Sequence, residues 1–314
     1  QLDPGIYVVT VASLTDACGC VASQTTLDMY TAEITIQALP TVEPMTDVSI
    51  CEDQLVNGAY CIDATAANYD ELEWTTTGTG TFDDNTIEDP CYTPSADDIA
   101  AAFVELCLTA QPIDPCTVAA TECFNLSVQA LPTAFAGDDA TICEDECFTF
   151  ADATFTNYDD LMWYTLGGDG TFDDETIENP EYCPGMMDIA NGSVEICVIA
   201  APIEPCTIQA EDCMTLTIQW NATIDPLDDV TICETDVPYC IDATAANYSS
   251  LSWSTSGTGT FDTPTEEDAC YSPSMDDIGT GSVELCLTAE PIDPCQLSVT
   301  ECFILTFQYA PTVE

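Results

Sequence analysis

The chain has 314 residues and carries no Lys, Arg or His against 57 Asp plus Glu, giving a formal net charge of −57. Binding to phosphate needs cations, so a nucleic-acid partner and attachment to an anionic lipid surface are excluded. Hydrophobic residues still make up 46% of the sequence and alternate with polar ones, unlike the apolar-poor composition of disordered segments.

Residues 1–43 read as the back half of a repeat. GlyIleTyrValValThrVal at 5–11 matches a strand that recurs later, and AlaGluIleThrIleGlnAlaLeuPro at 32–40 matches the ending at 127–132. ProThrValGlu at 311–314 duplicates Pro40 to Glu43 as a repeat junction. Two readings stand: a window from a longer array, which is favoured, or a chain whose orphan strands another subunit completes, as in donor-strand assembly.

Three full copies follow, at 44–133, 134–223 and 224–314. Their landmarks are regular: Trp74, Trp163 and Trp253 lie 89 and 90 residues apart, and Cys51, Cys143 and Cys233 lie 92 and 90 apart. In the first copy short strands are predicted at 47–51, 60–63, 72–76, 78–82 and 91–94, then a helical turn at 95–101 with Ser95 as its cap. Two longer strands end the unit, with Val104, Leu106 and Leu108 facing in on one, and Phe124, Leu126 and Val128 on the other. Seven short strands with a Trp on the third predict an all-β fold of tandem, disulfide-rich immunoglobulin-like β-sandwiches. Core packing is the favoured role of Trp74, Trp163 and Trp253, over a sugar platform.

The twenty cysteines imply an oxidising, extracellular compartment. No Cys-x2-Cys pair occurs and His is absent, which argues against zinc. In copies one and three, Cys61 and Cys91 match Cys240 and Cys270. In copy two, Cys147 comes about two residues early and Cys183 two late, a compensation that keeps two antiparallel partners opposed. Cys61–Cys91, Cys147–Cys183 and Cys240–Cys270 are therefore predicted pairs. The partial copy lacks both outer hairpin cysteines, with Thr31 and an aliphatic residue in their places. That joint loss predicts Cys107–Cys123, Cys197–Cys213 and Cys286–Cys302, on the solvent face. Elimination leaves Cys51–Cys116, Cys143–Cys206 and Cys233–Cys295, with an inter-copy link such as Cys116–Cys143 as the rival. Cys18 and Cys20 remain over, assigned to the missing half-copy.

Catalysis would have to rest on carboxylates, Tyr, Ser and oxidised Cys. A glycosidase-like carboxylate pair is conceivable, but a site repeated three times on sandwiches of about 90 residues points to a non-enzymatic chain. The acidic loops at 83–89, 173–179 and 262–268 have the oxygen density that Ca2+ needs. Asp83, Asp84, Asp89, Asp173, Asp174 and Glu178 are the candidate ligands, against the favoured reading of solvated loops. The AspAsp pairs at 97–98 and 276–277 are assigned to the helical turn. Asn125, Asn191, Asn221 and Asn247 begin Asn-x-Ser/Thr sequons. No apolar run of about 18 residues predicts a membrane span. No signal peptide is visible, so the sequence is expected to begin after any targeting segment.

AlaGlyAspAspAlaThrIleCysGlu (136–144), AlaThrAlaAlaAsnTyr (64–69 and 243–248), LeuSerTrpSerThrSerGlyThrGlyThrPhe (251–261) and TyrThrProSerAlaAspAspIleAla (92–100) together resemble the repeat domains of giant surface adhesins of Bacteroidota. These include gliding-motility proteins of the SprB type, exported by the type IX secretion system. The resemblance implies a secreted cell-surface array that carries adhesion or forms a filament. Six cysteines per copy and the lack of basic residues depart from that family and favour a structural stalk or fibre. Its partners would be other copies of itself or neighbouring repeats. The alternative is an adhesin module that binds polysaccharide or a surface, with calcium as its one candidate cofactor.

Overall fold

The computed structural model describes residues 2–13, 15, 17–18, 20, 31–101 and 103–309. The ProThrValGlu at 311–314 lies outside the described residues. The chain divides into two compact units, one of residues 1–132 with 202–208, the other of 133–201 with 209–314.

The first unit opens with a hairpin of β1 (Gly5–Thr10) and β2 (Thr31–Ile36), paired antiparallel with Tyr7 opposite Ile34 and Thr10 opposite Thr31. Thr10, a polar residue, thus stands where the sequence reading expected an aliphatic one. Its first sandwich follows as β3 (Thr41–Val42), β4 (Val48–Cys51), β5 (Tyr60–Cys61), β6 (Ala66–Ala67), β7 (Tyr69–Thr76), β8 (Thr81–Phe82) and β9 (Cys91–Thr93), then the helical turn α1 (Ala96–Ala100), then β10 (Val104–Pro112) and β11 (Ala120–Gln129).

One sheet has the order β4-β11-β10-β7, with β4 parallel to β11 and the rest antiparallel. The other face is built from β5-β9-β8 and the pair β3-β6. Among the described residues the sandwich has nine strands where seven were expected; the additional ones are the two-residue strands β3 and β6, which pair with each other outside the stretches read as strands. Pro44, which lacks an amide hydrogen, falls in the break between β3 and β4. Between β6 and β7 the chain turns through Asn68 at φ 58°, a left-handed conformation that Asn tolerates better than most residues.

The alternation expected of half-buried strands is realised in β10, where Val104, Leu106, Leu108 and Ala110 are buried and the residues between them are not. They pack with Phe124, Leu126 and Trp74 into one core. Trp74 is 1% exposed, its ring 5.9 Å from Phe82 and 6.4 Å from Phe124, and its indole N–H donates to the Ile87 carbonyl at 3.1 Å. Burying a Trp while pairing its polar atom makes it an anchor of this fold.

The second unit repeats this plan twice. Its first sandwich comprises β12 (Thr133–Phe135), β13 (Ala140–Cys143), β14 (Phe148–Thr149), β15 (Thr154–Thr156), β16 (Tyr158–Thr165), β17 (Thr171–Phe172), β18 (Glu181–Cys183), α2 (Met186–Asn191), β19 (Ser193–Pro202) and β20 (Ala210–Gln219). The second comprises β21 (Thr223–Ile224), β22 (Val230–Cys233), β23 (Tyr239–Cys240), β24 (Ala245–Ala246), β25 (Tyr248–Thr255), β26 (Thr260–Phe261), β27 (Cys270–Ser272), α3 (Met275–Thr280), β28 (Ser282–Pro291) and β29 (Val299–Gln308). Their cores centre on Trp163 and Trp253. The chain is an all-β array of disulfide-rich, immunoglobulin-like β-sandwiches.

Candidate functional site: the cystine framework and the acidic loops

Six cystines staple neighbouring antiparallel strands inside single sheets. Cys61 faces Cys91 and Cys240 faces Cys270 across β5-β9 and β23-β27, and both pairs are bonded. In the second copy Phe148 takes the register position of Tyr60, opposite Tyr182, which places Cys147 beside Cys183 at the neighbouring position, also bonded. Cys107–Cys123, Cys197–Cys213 and Cys286–Cys302 join the last two strands of each copy at Cα separations of 4.1, 4.0 and 4.1 Å. Direct opposition across a ladder brings the two Cβ atoms within disulfide reach. No cystine links the two sheets of a sandwich among the described residues.

The solvent-face expectation needs one correction. Cys107 and Cys286 face Thr75 and Ser254 across the sheet and are half-buried. Cys197 is 0% exposed; the residue following Trp163 is Tyr164, where the other copies have Thr75 and Ser254.

A second correction concerns the cysteines reached by elimination. Cys51 is not bonded to Cys116, nor Cys143 to Cys206, nor Cys233 to Cys295. Cys51 is bonded to Cys206, and Cys143 to Cys295. The rival Cys116–Cys143 pairing is likewise absent, and Cys116 and Cys233 carry free thiols. Elimination assumed that each copy closes on itself, whereas the cysteine ending the first paired strand bonds the hairpin turn of the next copy. The geometry recurs in both places. Cys51 is the register partner of Gln129, whose carbonyl oxygen lies 3.3 Å from Cys206 Sγ. Cys143 is the register partner of Gln219, whose carbonyl oxygen lies 3.3 Å from Cys295 Sγ.

A third cluster lies behind the GlyThrGlyThrPhe segment. Asp98, at the third position of α1, is 5% exposed and accepts hydrogen bonds from the Thr79, Gly80 and Ser95 amides and from the Tyr92 hydroxyl at 2.8 to 2.9 Å. Ser95 caps the turn in return by accepting from the Asp98 amide. Asp277 does the same with Thr258, Gly259, Ser274 and Tyr271, and Asp188 with Asp169, Gly170, Gly185 and Tyr182. The glycines are required here, because a Cβ on Gly80 would lie 2.4 Å from the Thr93 carbonyl.

Burial alone would raise the carboxyls of Asp98 and Asp277, but the converging donors outweigh it. Asp98 falls below the ordinary carboxylate value and Asp277 falls to about 2. Burial is also the largest cause that pushes the Tyr92, Tyr182 and Tyr271 hydroxyls up. The sequence reading tied the acidic pairs to the helical turn but missed that one Asp of each pair is a buried carboxylate. The signal was a Gly-x-Gly upstream, a spacing that lets backbone amides crowd around a side chain.

The six candidate calcium ligands each accept hydrogen bonds from the protein. One oxygen of Asp83 accepts from the Asp84 and Cys91 amides, and Asp84 from the amide and hydroxyl of Thr86. Asp89 accepts from the Ala64 amide. Asp173 and Asp174 repeat the first two arrangements with Asp174, Glu181 and Thr176, and Glu178 accepts from the Tyr158 hydroxyl. Asp83, Asp84, Asp173 and Asp174 thus brace the turns they lie in, while Asp89 and Glu178 tie their loops to other segments of the sandwich. Among the described residues, the acidic or thiol sets that converge closely enough for a metal are Glu105 with Cys107 and Cys123, Cys147 with Glu181 and Cys183, and Glu195 with Cys197 and Cys213. Each contains a bonded cystine and none contains the six.

No protein-family model matches the sequence, and no curated protein matches it. Solved structures similar to the chain include cadherin domains 1–4 of protocadherin gamma B7, at 13% identity and TM-score 0.47 over 96% of this chain and 92% of that one. Titin domains I67–I69 are similar at 12% identity and TM-score 0.49, over 87% of this chain and 100% of that one. Mouse cadherin-23 domains EC22–24 are similar at 12% identity and TM-score 0.42, over 87% and 99%.

Proposed function

We propose that the chain is a structural segment of an extracellular stalk or fibre, a non-catalytic scaffold of cystine-stapled sandwiches on a bacterial surface. The observation that carries this reading is the recurring bond from one copy to the next, Cys51 to Cys206 and Cys143 to Cys295. A covalent tie in the same register twice over serves to hold successive repeats, and it offers nothing to a ligand. The loops support it too: Asp83, Asp173 and Asp262 accept from the amides of Cys91, Glu181 and Cys270 in equivalent positions. A scaffold needs its loops alike, whereas a recognition module needs them to differ. The cystines suit an oxidising compartment, and the resemblance to SprB-type repeats of Bacteroidota adds surface display by the type IX route.

Immunogold electron microscopy on native material, with antibody to this chain, tests the reading. Label along the length of a fibre is expected. Label confined to a tip, together with polysaccharide binding by the chain that is lost when residues 83–89 are altered, would replace the stalk by an adhesin module.

A further inference from the structure

The chain contains two Asn-Gly pairs, Asn57–Gly58 and Asn191–Gly192, and the fold treats them differently. The dipeptide is chemically fragile, because glycine has no side chain to keep its amide nitrogen away from the carbonyl carbon of the preceding asparagine side chain. Attack by that nitrogen is hindered when its N–H is held in a hydrogen bond and the backbone around it cannot turn.

Asn191–Gly192 is held in this way. Asn191 ends α2, and Gly192 caps it at φ 74°, its amide donating to the Asp188 and Ile189 carbonyls at 3.0 and 3.1 Å. The Gly192 carbonyl accepts from the Ile218 amide at 2.8 Å. The Trp220 ring covers the same spot, 3.6 Å from where a Cβ on Gly192 would stand.

Asn57–Gly58 is not. The pair lies in the first sandwich between Cys51 and Cys61, with both residues exposed. Their φ values of 55° and 82° make the two-residue type I′ turn that Asn-Gly favours. The turn is closed by one isolated bridge, in which Val56 and Ala59 exchange hydrogen bonds at 2.9 and 3.1 Å. Among the described residues the Gly58 amide donates to no other group of the protein, and no atom lies within 4 Å of where its Cβ would stand. A single exposed bridge opens at low cost, and opening lets the Asn57 backbone rotate until the two reacting groups meet. The corresponding stretches of the other copies, 144–146 and 234–238, contain no asparagine.

We propose that Asn57 is a site of spontaneous deamidation, a slow one-way modification that sets the first sandwich apart, while Asn191 is protected. The Gly58 nitrogen, its proton taken by hydroxide, attacks the Asn57 side-chain carbonyl carbon. The new N–C bond closes a succinimide ring, and the side-chain nitrogen leaves as ammonia. Water then adds to either ring carbonyl and breaks its bond to the Gly58 nitrogen, giving aspartate or isoaspartate. The balance is one amide and one water converted to one carboxylic acid and one ammonia. Isoaspartate also adds a methylene to the main chain of the turn, so Val56 and Ala59 no longer stand opposite each other.

The test ages the full chain, cystines intact, in neutral buffer at physiological temperature, then reduces it, cleaves after glutamate and weighs the peptides. The peptide 53–71 should gain one mass unit with time, and fragmentation should place aspartate and isoaspartate at Asn57. The peptide 182–195, which holds Asn191, should convert roughly tenfold more slowly or less, since the hydrogen bonds of the Gly192 amide must break first. In urea with the cystines reduced, the two sites should convert at similar rates. Asn57→Gln, whose longer side chain closes the ring poorly, should hold the mass of its peptide constant. Conversion of Asn191 as fast as Asn57 in the folded chain would overturn the proposal. So would an Asn57 that survives ageing in the folded chain while converting in urea.

Discussion

Cys51 and Cys206, 155 positions apart in the sequence, are joined with their Cα atoms 4.8 Å apart. The bond ties the end of β4 to a turn that belongs, by sequence, to the following copy. Cleavage of the unreduced protein at acidic residues, since trypsin has no site, should release one peptide pair holding Cys51 with Cys206 and another holding Cys143 with Cys295. Recovery of Cys51 with Cys116 would refute the arrangement.

The buried carboxylate of Asp277 makes the last sandwich acid-sensitive. Its folded pKa of about 2 lies below the unfolded value near 3.8, so its contribution is full above pH 4 and is lost as pH falls towards 2. The difference corresponds to about 2 kcal/mol at 1.36 kcal/mol per unit. Urea midpoints measured between pH 5 and pH 2 should fall for the wild type. Asp277→Asn, which loses an acceptor and turns an amide against backbone donors, should be destabilised already at pH 6 and show a flatter slope.

Gly80→Ala should destabilise the first sandwich by about 1–3 kcal/mol, the usual cost of overpacking. The new Cβ meets the fixed Thr93 carbonyl at 2.4 Å, which cannot rotate away. Gly279→Ala, where nothing lies within 4 Å, is the control and should melt at or slightly above the wild-type temperature by circular dichroism.

Replacing Cys107 and Cys123 together by Ser opens a loop of 16-residue separation. In the chain-entropy account this costs about 3 kcal/mol. Fluorescence of Trp74, with Trp163, Trp220 and Trp253 replaced by Phe, should report an earlier urea transition. An unchanged midpoint would mean that the strand pairing holds this hairpin without its cystine.

Salt should stabilise this protein. With 57 acidic side chains and no Lys, Arg or His, screening weakens repulsion and has no side-chain ion pairs to weaken. Raising sodium chloride from about 0.01 M to about 0.5 M shortens the screening length several-fold and should raise the melting temperature. Calcium chloride at matched ionic strength should do no more than magnesium chloride, given the loop geometry. A calcium-specific rise saturating at micromolar concentration would restore the acidic loops as a binding site.

The legible parts of this chain were those with a period. Alternation in Val104–Ala110 and Phe124–Val128 named the core faces, and the opposed shifts of Cys147 and Cys183 revealed a pair because cross-strand cystines require direct opposition. Cys116, Cys206 and Cys295 lie in turns, where no register constrains a partner. Their bonds depend on how one copy meets the next, which the pattern inside a copy does not encode. Asp98 was legible as a cap but not as a buried group, because its burial depends on a Gly-x-Gly segment some twenty residues earlier folding over it. The acidic loops read as ligand sets because composition counts oxygens, whereas it does not show the donors those oxygens meet, such as the Thr86 amide at Asp84 and the distant Ala64 amide at Asp89.

The two long-range cystines overlap in sequence, since Cys143 lies inside the ring closed by Cys51 and Cys206, and Cys206 lies inside the ring closed by Cys143 and Cys295. Tension applied at the two ends would therefore cross Cys51 to Cys206 and Cys143 to Cys295 through sulfur, with most of the polypeptide bypassed. Even with every sandwich melted, such a tether would pay out only a fraction of its contour until a reductant cut it.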